Sequence, residues 1–181
     1  MSHLKYYFEW FFYSLFFSGV AIIQAAFISA LPPVYAAINL PLTCLLFSLL
    51  VFNKEKTLVF AILIGFWLDI LNFNFFGLNI LIFLATFFII DFLLNNWLTN
   101  RSLYSFLVLS SLSVVIYNIL LYLFLAISHS GQAGFSFFLF QSSFWIQLGW
   151  QIIWGGIFML LFFNVANFLS RRLKPFFLEN K

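Results

Sequence analysis

A chain of 181 residues with 65% hydrophobic and 7% charged residues is too apolar for a water-soluble domain, which would carry about 25% charged residues. The mean hydropathy is +1.09, so we expect one membrane domain over residues 1–181, in contact with a lipid bilayer. The net charge of +3 does not indicate nucleic-acid binding. The single cysteine, Cys44, excludes an internal disulfide and a cysteine metal site. The 30 phenylalanines are interpreted as a compositional bias with no role beyond lipid contact.

Six apolar segments predict an all-α fold, a polytopic bundle of six transmembrane helices. The predicted spans cover residues 10–31, 34–52, 58–76, 78–94, 103–127 and 144–169. Pro32 and Pro33 end the first span, and Pro41 is expected to kink the second. Gln24 lies inside the first span, so its side chain needs a hydrogen-bond partner. In the sixth span, Gly149, Gly155 and Gly156 predict close helix packing beside Gln147 and Gln151.

The basic residues decide the predicted orientation. All eight lie before the first span, after the second, after the fourth or after the sixth: Lys5, Lys54, Lys56, Arg101, Arg171, Arg172, Lys174 and Lys181. The other three connections contain none. Because cytoplasmic loops carry the excess of Lys and Arg, both termini are predicted to be cytoplasmic, in the inner (cytoplasmic) membrane.

An aspartate lies inside the third predicted span. Gly65, Asp69 and Asn72 have the spacing i, i+4 and i+7, which places them on one face of a helix. An ionised carboxylate in hydrocarbon costs at least about 2.5 kcal/mol, so this face must contact protein or water. Gly77 is predicted to permit a sharp return after the span. Two interpretations remain open, a helix-packing contact pinned by Asp69 and a binding face for a partner protein.

A second aspartate, Asp91, is predicted near the cytoplasmic end of the fourth span. A carboxylate there opposes the helix dipole, so Asp91 is expected to form an ion pair with Arg101, or with Lys54 or Lys56, or to reach water. The two aspartates lie at different depths and do not form a catalytic pair. The metalloprotease, P-loop and dinucleotide motifs are also absent from the sequence. We therefore expect a protein that is not an enzyme and has no metal or cofactor.

The pattern Gly65-x-x-x-Asp69 followed by Gly77-Leu78-Asn79-x-Leu81 resembles the signature stretch of the rod shape-determining MreD family. Gln24 before a proline-led second span and the six-span layout agree with it, and the resemblance covers about residues 15–125. The turn after Asp69 departs from the Gly- and Ser-rich turn of the family. The resemblance implies an inner-membrane scaffold of the cell-wall elongation machinery. Such a scaffold binds the single-span protein MreC and acts with MreB, RodA and a class B penicillin-binding transpeptidase.

The MreD fold also resembles the substrate-binding subunits of energy-coupling-factor vitamin transporters, which gives an alternative function. The pairs Ala21 and Ala25, and Ala26 and Ala30, would suit docking of the first helix to the membrane partner of such a transporter. A vitamin site needs several polar groups that converge near the outer face, and the outer loops contain few. A small structural subunit of another membrane complex is a third interpretation.

Overall fold

The computed structural model describes residues 2–52, 54–72, 75–96, 103–128 and 142–172. These residues are helical apart from short connections, and no strand occurs among them, which confirms the predicted all-α class. A 3-10 helix, Ile28–Ala30, lies between the first two α-helices. The α-helices in chain order are α1 (Ser2–Ala26), α2 (Pro33–Ala36), α3 (Leu40–Val51), α4 (Lys54–Leu71), α5 (Leu78–Asn96), α6 (Leu103–Ser128) and α7 (Ser142–Arg172).

Five of the segments are long and apolar enough to cross a membrane, so the chain is a multi-pass membrane protein. They are Trp10–Ala30, Pro33–Val51, Leu78–Asn96, Tyr104–Phe124 and Ser143–Val165. Helix α4 is different, because its 18 residues include four charged side chains and it ends five residues before the predicted boundary at residue 76. The third span, and with it the count of six, stays a prediction.

The second predicted span is broken, whereas the sequence had indicated one kinked helix. Helix α2 ends at Ala36, residues 37–39 are not helical, and α3 begins at Leu40. The cause is Pro41, which has no N–H to donate to the carbonyl oxygen of Ala37 four residues earlier. The chain therefore enters this span as a single helical turn and continues after the break as a separate helix.

Helix α3 lies in the middle of the bundle, since it contacts α1, α4, α5, α6 and α7. Helices α4 and α5 form the most extensive helix pair, and α1 packs on the other side of α4. Helix α7 packs mainly on α6. The loop at Gly77 and the first turn of α4 mark opposite ends of the bundle, which we name the Gly77 end and the Lys54 end.

The interpretation of phenylalanine as lipid contact alone is wrong for the core. Phe60 is fully buried and lies among the rings of Trp10, Tyr13, Phe17 and Phe52, with centroid distances of 4.2–6.3 Å. These rings belong to α1, α4 and the end of α3, so they join the three helices in their Lys54-end half. Aromatic pairs at such distances stabilise a core beyond the area that they bury.

Candidate functional site

The carboxylate of Asp69 is 3% exposed and accepts four hydrogen bonds from residues that the structure describes. Its Oδ1 accepts from the backbone N–H and the side-chain amide of Asn79, at 2.8 and 2.9 Å. Its Oδ2 accepts from the backbone N–H of Gly77 at 3.0 Å and of Ile80 at 3.3 Å. All of these donors lie in the turn before α5 or in its first turn.

Asp69 therefore caps the start of α5 from the neighbouring helix. The first N–H groups of a helix have no partner within the helix, and a negative charge there is favourable for the helix dipole. Gly77 makes the geometry attainable, because its φ of +95° lies where side chains other than glycine are strained. One carboxylate thus accepts the N–H groups of Asn79 and Ile80 in the first turn of α5 and holds α4 beside it.

Gly65 lies one turn before Asp69 and contacts the same segment. A Cβ added at Gly65 would lie 2.6 Å from the Cα of Ile80 and 3.1 Å from the carbonyl carbon of Asn79. The backbone of α5 thus occupies the space that the missing side chain leaves. The face formed by Gly65 and Asp69 is covered by α5 of the same chain.

Asn72 lies apart from that buried face. Helix α4 ends at Leu71, and the N–H of Asn72 still donates to the carbonyl oxygen of Leu68 at 3.0 Å, so Asn72 directly follows the last turn of the helix. Asn72 is exposed, as are Phe75 at 61% and Phe76 at 70%. Among the described residues, the exposed surface at this corner consists of Asn72, Phe75 and Phe76, which we name the hairpin tip.

A second set of polar contacts holds the break in the second span. The side-chain amide of Gln24 on α1 donates to the carbonyl oxygen of Ile38 at 2.8 Å, and its Oε1 accepts from the N–H of Leu40 at 3.1 Å. Asn39 caps α3 by accepting from the N–H of Leu42 at 3.1 Å. Gln24 thus has the partner that the sequence required, which is the backbone freed by the break.

Helices α6 and α7 also contribute to this level of the bundle. Tyr117 forms a hydrogen bond with the side chain of Asn39, and the indole N–H of Trp154 donates to the carbonyl oxygen of Val34 at 3.0 Å. Asn118 donates to Oε1 of Gln151 at 2.5 Å, which joins α6 to α7. The break is consequently held by side chains from α1, α6 and α7.

The glycines of α7 divide into two kinds. A Cβ at Gly155 would lie 3.1 Å from Oγ of Ser110, and one at Gly156 would lie 3.7 Å from Leu107, so both face α6. Gly149 has open space around it, and Gln147 is exposed. The predicted close packing therefore involves two of the three glycines.

The Lys54 end carries an ion pair. Nζ of Lys54 lies 2.8 Å from Oδ2 of Asp91, and the two side chains are 58% and 21% exposed. The sequence predicted an ion pair of Asp91 with Arg101, Lys54 or Lys56, and the structure has it with Lys54. Arg101 lies outside the described residues. Lys56 lies 5.7 Å from the ring centroid of Tyr13. These contacts hold the first turn of α4 against α5 and α1.

The small residues of the first span also differ in their surroundings. Ala21 is fully buried inside the bundle, whereas Ala26 and Ala30 are exposed.

Within the described ranges, no group of three or more His, Cys, Asp or Glu side chains could hold a metal ion. The polar groups described above are thus engaged chiefly with one another and with the backbone.

The sequence did not indicate the roles of Asn39, Asn79, Tyr117 and Trp154. Asn39 directly precedes an apolar helix, which is a recognisable capping signal, whereas Asn79 lies inside the first turn of α5 and donates to Asp69. Tyr117 and Trp154 lie within apolar runs, and their partners are backbone or amide groups more than 70 residues away in the chain. No protein-family model, curated protein or solved structure matches the chain.

Proposed function

We propose that the chain is a non-catalytic scaffold subunit of the cell-wall elongation machinery, and that it binds an MreC-like single-span protein. The family name comes from the sequence resemblance at Gly65, Asp69 and Gly77. MreB, RodA and a class B penicillin-binding transpeptidase are its proposed companions in the complex. In this proposal the protein supplies a rigid membrane platform and performs no chemistry.

The observation that carries the proposal is the engagement of Asp69. An aspartate that moves protons or binds a substrate needs an open side and a changeable set of partners. Asp69 is 3% exposed and accepts four hydrogen bonds from the start of α5. The most conspicuous charge in the apolar part of the chain therefore maintains the shape of the bundle, as a scaffold requires.

The proposed orientation follows from the eight basic residues. We place both termini and the Lys54 end in the cytoplasm and the Gly77 end outside the inner membrane, with α4 as the third of six spans. Reporter fusions after Lys56 and Lys174 should then report cytoplasm, and one at Gly131 should report the outside. A cytoplasmic signal at Gly131 would contradict the six-span arrangement.

The partner surface is proposed at the hairpin tip, because the face of Gly65 and Asp69 is covered by α5. Phe75 and Phe76 are large exposed side chains beside an exposed amide, Asn72. Aromatic side chains near a polar rim are typical of binding sites on proteins. The ring of Phe76 lies 5.9 Å from that of Phe66 on α4, but the three tip residues lie outside the buried core, so we expect the bundle to stay intact when the tip is altered.

The experiment compares recovery of an MreC-like partner by wild type, by Asn72→Ala with Phe76→Ala, and by the control Phe88→Ala. Phe88 is 58% exposed on α5, so the control removes an aromatic ring of similar exposure away from the tip. At matched membrane levels we expect the tip variant to lose most of the partner and the control to retain it. Equal recovery by all three proteins would refute docking at the tip.

A second candidate function is the substrate-binding subunit of an energy-coupling-factor-type vitamin transporter. The observation that favours it is the broken second span, because discontinuous membrane helices often form binding sites. Polar side chains from α1, α6 and α7 meet at that break. Co-purification with a transporter ATPase, and not with an MreC-like protein, would favour this candidate.

A further inference from the structure

The break in the second span frees two backbone carbonyl groups. The N–H of Leu40, which would bond to Ala36 in a continuous helix, donates to Gln24 instead. The residue four positions after Ala37 is Pro41, which has no N–H. Among the described residues, none donates a hydrogen bond to the carbonyl oxygen of Ala36 or of Ala37.

These carbonyl groups lie at membrane depth. Helix α3 has 12 residues, so it extends about 18 Å from Val51 to the break. Val51 precedes the charged Lys54 by three residues, and the hydrocarbon core is about 30 Å thick. The break is therefore about 12 Å from the hydrocarbon boundary at the Gly77 end.

Non-helical backbone is not tolerated against lipid; at this depth it must be buried in protein or line a water-filled space. Ala37 is fully buried in protein, whereas Ala36 and Ile38 are partly exposed. Gln24 bonds to Ile38 and Leu40, and Trp154 bonds to Val34, so neither side chain donates to Ala36. Of the two residues with a freed carbonyl group, Ala36 is thus the one with exposed surface.

The direction of access follows from the packing of α3. On the side toward the Lys54 end, Leu42, Leu45 and Leu46 are at most 2% exposed and fill the core. On the side toward the Gly77 end, the segment that precedes the break is exposed, since Leu31 and Tyr35 are 46% and 49% exposed. We propose that the break is the floor of a water-filled recess open to the Gly77 end, with the carbonyl oxygen of Ala36 as its water-binding group.

This proposal does not depend on the scaffold function, and it can be tested by cysteine accessibility. The only native cysteine, Cys44, is buried on α3, so Cys44→Ala provides the background. Ala36→Cys and Ile38→Cys report on the break. The matched control is Ile22→Cys, which lies half a turn before Gln24 and is 41% exposed on the outer face of α1. A charged, membrane-impermeant methanethiosulfonate is added on the side of the Gly77 end.

The thiolate is the reactive form of cysteine, and an apolar environment suppresses it, so each unit of pKa elevation slows modification about tenfold. We expect both cysteines at the break to react at least about tenfold faster than the cysteine at position 22. Ser143→Cys, at the start of α7, is the positive control for reagent access. Reaction at the break as slow as at position 22, or only after unfolding in detergent, would overturn the recess. Reaction only from the side of the Lys54 end would overturn it as well.

Discussion

The two ends of the α4–α5 hairpin each contain an aspartate, and the two aspartates are held in different ways. Asp69 is 3% exposed and accepts four hydrogen bonds from residues that follow it by 8 to 11 positions. Asp91 has a side chain that is 21% exposed and pairs with Lys54, 37 positions away. The same residue type thus makes a buried cap at one end and an exposed ion pair at the other.

The difference shows which of the two contacts determines the position of α5. A buried carboxylate with several charge-assisted hydrogen bonds is costly to disrupt, because its donors are left unsatisfied when it is removed. An exposed ion pair is weak, because water and salt screen both charges. We therefore assign the position of α5 to the Asp69 cap and regard the Lys54–Asp91 pair as a minor contribution.

The largest effect is expected from Asp69→Ala. It leaves the N–H groups of Gly77, Asn79 and Ile80 and the amide of Asn79 without their acceptor. We expect the free energy of unfolding to fall by about 3 kcal/mol or more, measured by denaturant titration in mixed micelles. Asp91→Ala is the control and should lower it by at most about 1 kcal/mol. Similar losses for the two variants would remove the distinction between the ends.

An intermediate effect is expected from Gly65→Ala. The new methyl group would lie 2.6 Å from the Cα of Ile80, and backbone cannot yield as a flexible side chain does. Overpacking of this kind costs about 1–3 kcal/mol. Gly149→Ala is the matched control, since Gly149 is helical and has no atom within 4 Å of an added Cβ. Its unfolding free energy should change by less than about 1 kcal/mol, and in the stabilising direction. A neutral Gly65→Ala would show that α5 does not approach α4 closely.

The smallest effect is expected at the ion pair. Lys54→Asp and Asp91→Lys should each lower the unfolding free energy by about 1 kcal/mol or less, because each places like charges together. The double exchange should restore most of the loss, and raising the salt concentration should reduce all three differences. The titrations are repeated at low and high salt. A large, salt-independent loss in either single variant would indicate that this pair is buried.

The sequence was sufficient to predict the helical class and to identify Gly65, Asp69 and Gly77 as candidates, because glycine and aspartate are conspicuous in apolar helices. It could not show that α5 covers the Gly65 face, since helical spacing identifies a face without naming the element packed on it. For a related reason, the spacing could not show that Asn72 is exposed while Gly65 and Asp69 are covered. Asn72 directly follows α4, and periodicity does not report where a helix ends.

Two other features could be recognised only in the folded structure. Pro41 indicates a disturbance in the second span, but a kink and a complete break have the same sequence signal. The break became identifiable only with its partner on another helix, since the side chain of Gln24 accepts from the N–H of Leu40 and donates to the carbonyl oxygen of Ile38. Phe60 illustrates the second case. Phenylalanine faces lipid and core alike in this chain, and only the packing of α1 against α4 separates the two environments.

The short sequence separation within the Asp69 cap has a consequence for biosynthesis. Every donor to the carboxylate among the described residues is synthesised within eleven residues after it, so its charge remains uncovered until the first turn of α5 has left the ribosome. Helix α4 alone would present this charge to lipid during insertion, whereas the hairpin presents it already covered. We therefore expect the translocon to release α4 and α5 into the bilayer as a pair, with the Lys54–Asp91 contact formed last.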